Sequence, residues 1–75
     1  MENETITPEE IARHYAAALD SVTVVNELMA LDTRTEEQED AVDRNVRHLE
    51  LMLTRDYWTT EDLTPFTDAI AAGKP

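Results

Sequence analysis

The chain of 75 residues carries 17 acidic side chains against six basic ones, which gives a formal net charge of −11. This excess opposes contact with nucleic acid and with anionic membrane surfaces, and six dispersed cations make a poor site for phosphorylated substrates. Because cysteine is absent, disulfides and thiolate metal sites are excluded, and a domain this small is expected to gain stability by self-association.

Apolar residues make up 41% of the chain and recur with helical spacing, which predicts one folded all-α domain over residues 1–75. No apolar run approaches the roughly 20 residues that a membrane span needs. The acidic start Met1-Glu2-Asn3-Glu4 lacks the apolar region of a signal peptide, so we expect a cytoplasmic location.

The first helix is predicted over residues 8–31. Thr7 is the expected N-cap, Pro8 takes the first helical position, and Glu10 completes a capping box. Its apolar residues step by four and three along one seam: Ile11, Tyr15, Ala18, Val22, Val25 and Met29.

One segment of this helix also fits a strand. Residues 21–25 are rich in β-branched side chains, which are frequent in strands. The heptad spacing continues through the segment, and neither Gly nor Pro bounds it, so we favour the helix.

A second helix is predicted over residues 36–56, with Thr35 and Gln38 as its capping box. The connector at 32–34 is short, so the two helices should pack as antiparallel neighbours. Val22 and Val25 should then meet Val46 and Leu49. The start of this helix carries an acidic cluster: Glu36, Glu37, Glu39, Asp40 and Asp43.

Beyond residue 56 the pattern predicts a turn of helix at 60–63 and a short helix at 65–72. Thr64-Pro65 repeats the Thr-Pro start of the first helix, and Gly73 is expected to stop the last one. Trp58 should be mostly buried between the end of the second helix and Phe66 or Ile70.

The residues from 44 to 70 resemble a pattern of small hypothetical proteins of marine cyanophages. Its parts are RNVRHLELML at 44–53, DYW at 56–58, DLTP at 62–65 and AI at 69–70. The resemblance leaves the first helix untouched. It implies a phage origin, and it implies no catalytic residues because the family has no assigned activity.

Histidine is the side chain that titrates near neutrality, so His48 is the first candidate for chemistry. Beside Asn45 it suggests a buried polar pair that fixes register or a metal ligand, but a boundary histidine packed on Trp58 or Tyr57 is favoured. A di-metal bundle wants Glu three residues before His, and neither His48 nor His14 has it. No metal or cofactor is expected.

The acidic cluster has two further interpretations. A calcium loop needs a Gly for its turn, and the cluster contains none; a solvated helix start that complements the helix dipole is favoured. The same carboxylates, with those of the first helix, also suit an acidic mimic of DNA that occupies a host DNA-binding protein. The arginines of the second helix interrupt such a surface.

The motifs of hydrolases, kinases and nucleotide binders are missing from the sequence, so we do not expect an enzyme. We predict an antiparallel hairpin plus a short third helix that completes a bundle by self-association. The expected function is binding to another protein, either a second copy or a host protein, without direct binding of nucleic acid or membrane. The candidate partner face is Ala12, Ala16, Leu19, Leu28 and Leu51.

Overall fold

The computed structural model describes residues 6–74, which contain three α-helices and no strand within that range. The helices are α1 (Pro8–Met29), α2 (Glu36–Leu53) and α3 (Thr64–Gly73). The all-α class is therefore confirmed. The strand interpretation of residues 21–25 is wrong because the segment lies inside α1. The acidic start at residues 1–4 lies outside the described residues.

Both long helices begin at the predicted capping boxes. The Glu10 N–H donates to the Thr7 hydroxyl at 3.2 Å, and the Thr7 N–H donates to the Glu10 carboxylate at 3.0 Å. At α2 the equivalent bonds between Thr35 and Gln38 measure 3.1 and 2.8 Å. A side-chain cap of this kind typically stabilises a helix by about 1 kcal/mol. Because the bonded residues are only three positions apart, both helix starts can be predicted from the local sequence.

Both long helices end earlier than predicted. α1 ends at Met29 instead of residue 31, and α2 ends at Leu53 instead of residue 56. After α1, the Arg34 guanidinium donates to the carbonyls of Leu28 and Leu31, at 3.4 Å each. After α2, the Thr54 hydroxyl and the Trp58 indole N–H bond helix carbonyls at 2.6 and 2.8 Å. Side chains thus satisfy carbonyls that further helix would otherwise use.

The three helices enclose one apolar core. The central part of the predicted seam is confirmed, since Val22, Val25, Val46 and Leu49 are all buried. Towards the ends of α1 the seam is only half-buried, and Ile11 is not part of the core. His14 near the start of α1 stacks on Tyr57 beyond the end of α2, as antiparallel packing requires. The buried apolar residues are Ala18, Val22, Val25, Val42, Val46, Leu49, Met52, Phe66 and Ala69.

The third helix runs along the hairpin and packs on both long helices. Phe66 near its start contacts Tyr15 of α1, with ring centroids 5.2 Å apart. Gly73 at its end approaches Val46 of α2. α3 therefore packs on the hairpin from the Trp58 end to about its middle, which extends beyond the predicted contact near Trp58.

Gly73 does not stop α3 in the predicted way. It is the last residue of the helix, and no described glycine has a positive φ. A Cβ atom built on Gly73 would lie 2.5 Å from Val46 Cγ2 and 3.3 Å from Val42 Cγ1. The glycine is needed because the backbone of α3 approaches two valines closely.

The predicted turn of helix at 60–63 is wrong. Glu61 instead accepts a hydrogen bond from the Thr59 N–H, and Asp62 accepts one from the Thr64 N–H, each at 3.0 Å. Carboxylates that bond the backbone two residues away favour turns over helix. The N-cap of α3 is consequently Leu63, not Thr64, and the helix begins one residue before the predicted position.

Candidate interaction surfaces

The side of α2 turned away from the core carries a stripe of five residues, which we name the α2 outer face. Successive members are separated by three or four residues, so they align along one side of the helix. Four of them are charged and exposed, and the fifth, Leu51, is 51% exposed. The members are Glu37, Asp40, Arg44, Arg47 and Leu51.

Charge on the α2 outer face is ordered along the helix. Its first half is acidic through Glu37 and Asp40, and its second half is basic through Arg44 and Arg47. Arg47 pairs with Asp43 one turn earlier at 3.0 Å, but the two side chains remain 75% and 63% exposed. Exposed pairs of this kind contribute little to stability, so both groups stay available to a partner.

The residues predicted as a partner face, four on α1 and Leu51 on α2, do not form one continuous surface. Ala12 and Ala16 are exposed, whereas Leu19 and Leu28 are half-buried and pack against the core. Leu19 and Leu28 are nine residues apart, about two and a half helical turns, so they lie on opposite flanks of α1. Leu51 lies on the far side of α2, away from all of them.

The predicted acidic cluster is exposed at all five positions: Glu36, Glu37, Glu39, Asp40 and Asp43. Glu39 pairs with Arg34 of the connector at 3.2 Å, and this contact joins the end of α1 to the start of α2. Within residues 6–74, no three acidic or histidine side chains converge in a way that could hold a metal ion.

Carboxylates also line the outer side of α1. Glu9, Asp20 and Glu27 are all exposed, and separations of eleven and seven residues bring them to one side of the helix. Arg13 lies close to the same line. The outer side of α1 is therefore a mostly acidic row, in contrast to the α2 outer face with its two halves of opposite charge.

His48 makes a polar contact, but its partner differs from the predicted one. Its Nδ1 lies 2.8 Å from the Ser21 hydroxyl, and Ser21 is only 6% exposed. Asn45 bonds the Ala41 carbonyl of its own helix at 2.7 Å, and the histidine stacked on Tyr57 is His14. The Ser21–His48 contact therefore joins α1 to α2.

No cavity opens on the part of the surface that the structure describes.

Trp58 packs at the end of α2 as predicted, although it is half-buried rather than fully enclosed. Its ring lies 6.0 Å from that of Phe66 and 4.8 Å from that of Tyr57, both edge-on. Tyr15 lies in the same cluster, and its hydroxyl donates to the Asp62 carbonyl at 2.6 Å. This bond was not predicted, because the hydroxyl of a seam tyrosine gives no sign of its partner.

Three exposed carboxylates beside the helices accept backbone hydrogen bonds. The Thr7 N–H lowers the pKa of Glu10, the Thr59 N–H lowers that of Glu61, and the Thr64 N–H lowers that of Asp62. These bonds stabilise the ionised form. All three carboxylates are thus engaged in local structure in their ionised form.

Among residues 6–74, no helix is both long enough and apolar enough to cross a membrane. No protein-family model, curated protein or solved structure matches the chain. The function is therefore inferred from the surfaces that the three helices present.

Proposed function

We propose that this protein acts by binding another protein through the α2 outer face, without catalysing a reaction and without a cofactor. The observation that supports this most directly is Leu51, which stands 51% exposed on the same stripe as Arg44 and Arg47. Arginine is enriched in protein interfaces, and burial of the exposed part of Leu51 against a partner would be favourable because it removes apolar surface from water. Spacings of three and four residues align the stripe along α2, so a single partner helix can contact all of its members.

The proposal extends to origin and setting. On the resemblance of residues 44–70 to cyanophage proteins, we place the chain in the cytoplasm of an infected host cell. Its partner is then a host protein or a second copy of the chain in a homo-oligomer. The acidic remainder of the surface keeps the protein soluble and disfavours non-specific binding to nucleic acid.

An affinity capture from cyanobacterial lysate tests this proposal. The immobilised baits are the wild type, Leu51→Asp on the α2 outer face, and the matched control Ala17→Asp at an exposed position of α1. Each substitution adds one negative charge. A genuine partner is retained by the wild type and the control and is lost with Leu51→Asp. In calorimetry with the purified partner, the wild type and the control should bind more tightly than Leu51→Asp. Equal retention by all three baits would contradict the proposal.

A second candidate, an acidic mimic of DNA, is favoured by the row of Glu9, Asp20 and Glu27 on α1. On this alternative the chain would displace DNA from a basic host protein, and Asp20→Asn with Glu27→Gln would abolish the displacement. Leu51→Asp would leave it unchanged. The two substitution sets therefore separate the two functions in one competition assay.

A further inference from the structure

We infer that the α2 outer face is self-complementary and that its occupant is a second copy of this chain, bound in an antiparallel two-fold dimer. The inference rests on the proposed function in one respect, namely that this face is the binding surface. A two-fold interface uses the same patch on both copies, so a patch that binds itself must carry both partners of each contact. The α2 outer face meets this requirement.

The order of charges sets the direction and register of the pair. With the two-fold axis at the level of Val42, Glu37 of one copy lies opposite Arg47 of the other, and Asp40 lies opposite Arg44. Symmetry repeats both contacts, which gives four contacts between opposite charges. A parallel pair would place carboxylate against carboxylate and arginine against arginine, which costs energy in both halves.

The same register brings Leu51 of one copy to the level of Leu31 of the other. Among residues 6–74, the large apolar side chains that stand exposed are Leu51 at 51% and Leu31 at 41%. Leu51 is nine residues, about 13.5 Å, from the axis, whereas α2 begins six residues, about 9 Å, on its other side. Leu51 therefore reaches just past the start of the second copy's α2, to the level of the segment between α1 and α2 that contains Leu31.

The expected dimer is weak and depends on local charge. Its contacts are largely exposed ion pairs, which contribute little individually, and a single helix pair lies at the low end of interface size. Two copies with a net charge of −11 each also repel one another. We expect a dissociation constant between about 10 μM and about 1 mM.

Sedimentation equilibrium on three variants separates the face from the overall charge. Glu37→Arg with Asp40→Arg makes the face wholly basic, and Asp20→Arg with Glu27→Arg is the matched control on α1. Both double substitutions change the net charge by four, from −11 to −7. The third variant, Arg44→Glu with Arg47→Glu, makes the face wholly acidic. Circular dichroism melts confirm that each variant is folded.

If the face governs association, the variant with the basic face dimerises at least roughly tenfold more weakly than the wild type. The control of equal charge dimerises as tightly as the wild type or more tightly, because overall repulsion is reduced. The variant with the acidic face is monomeric alone, and a mixture of the basic-face and acidic-face variants forms a one-to-one heterodimer.

A wild type that remains monomeric up to about 1 mM overturns the inference, as does a basic-face variant that dimerises like its control. These outcomes are distinct from failure of the proposed function. Retention of a different protein that depends on Leu51 would still support binding through this face. If neither a second copy nor any other protein binds this face, both the inferred dimer and the proposed function are contradicted.

Discussion

The Ser21 hydroxyl and the His48 Nδ1 atom lie 2.8 Å apart and join the middle of α1 to the middle of α2. Ser21 is the one buried polar residue in the described part of the chain. The core residues around this pair are apolar, and apolar contacts are non-directional, so they tolerate small shifts of one helix along the other. A directional hydrogen bond does not tolerate such shifts, so the Ser21–His48 pair selects one register of α1 against α2.

Ser21→Ala should destabilise the protein by about 1–3 kcal/mol, because it leaves a half-buried imidazole nitrogen without its partner. Adding His48→Leu should recover much of the loss, since the site then contains no polar group. Urea unfolding of the two single variants and the double variant gives the coupling energy between the residues. Purely additive effects would show that the hydrogen bond does not contribute to stability.

Gly73→Ala should also destabilise, by about 1–3 kcal/mol. Alanine at a helical glycine usually stabilises by up to about 1 kcal/mol, so the sign of the effect is diagnostic. Here the new methyl group would lie 2.5 Å from Val46 Cγ2. In the background of Val46→Ala, where that methyl is absent, the same substitution should cost less. Chemical denaturation of the four variants completes this cycle, and a stabilising Gly73→Ala would mean that α3 packs less closely.

Trp58→Ala should cost about 2–3 kcal/mol, which is below the usual 3–5 kcal/mol for a buried aromatic because this ring is half-exposed. Trp58→Phe keeps the ring contact with Phe66 but loses the indole hydrogen bond to the Met52 carbonyl. It should therefore cost about 1 kcal/mol. Thermal and urea melts measure both, with Thr59→Ala as the exposed neighbouring control. Unchanged stability in Trp58→Ala would instead make the ring a candidate partner contact.

Stability should respond to charge in two opposite ways. The net charge of −11 opposes compact structure, so the melting temperature at pH 7 should rise as salt screens the repulsion. It should rise again between pH 7 and about 5 as the carboxylate excess is partly neutralised. A melting temperature that falls with added salt would show that specific ion pairs outweigh the repulsion.

At lower pH the carboxylates bonded to the backbone reverse this trend. The pKa values of Glu10, Glu61 and Asp62 lie below their ordinary values because each accepts a backbone hydrogen bond. Their contribution is therefore complete above the unfolded values of about 4 and is lost as the pH falls through the folded values. Replacing all three by the corresponding amides should flatten the acid limb of thermal melts recorded from pH 5 to 2. An unchanged limb would assign acid unfolding to other groups.

The features that the sequence predicted well are local or periodic. The starts of α1 and α2 depend on Thr and on Glu or Gln three residues later, and the seam follows from heptad spacing alone. The helix ends were missed because Arg34 and Trp58 reach back to carbonyls across a turn of chain. The role of Gly73 was also missed, since close approach to Val46 is a tertiary property that no local pattern reveals.

For the α2 outer face as well, local features of the sequence were predicted better than the surface that the residues form together. Leu51 belongs to the predicted partner face, and the acidic cluster is predicted to be a solvated helix start. The arginines of α2 are predicted only to interrupt an acidic surface, although the spacing of Glu37, Asp40, Arg44, Arg47 and Leu51 is present in the sequence. The predicted partner face is not continuous, because Leu19 and Leu28 pack against the core on different flanks of α1.

The Tyr15–Asp62 hydrogen bond joins residues 47 positions apart, whereas the Ser21–His48 bond joins residues 27 apart. Closing a longer loop costs more entropy before any contact is made, so during folding the α1–α2 hairpin should form before α3 docks against α1. The reverse order applies to opening, and amide hydrogens of α3 should exchange with solvent faster than those at the centre of α2. Tyr15→Phe should widen that difference in native-state hydrogen exchange, because it removes a bond that spans the late step and leaves the hairpin intact.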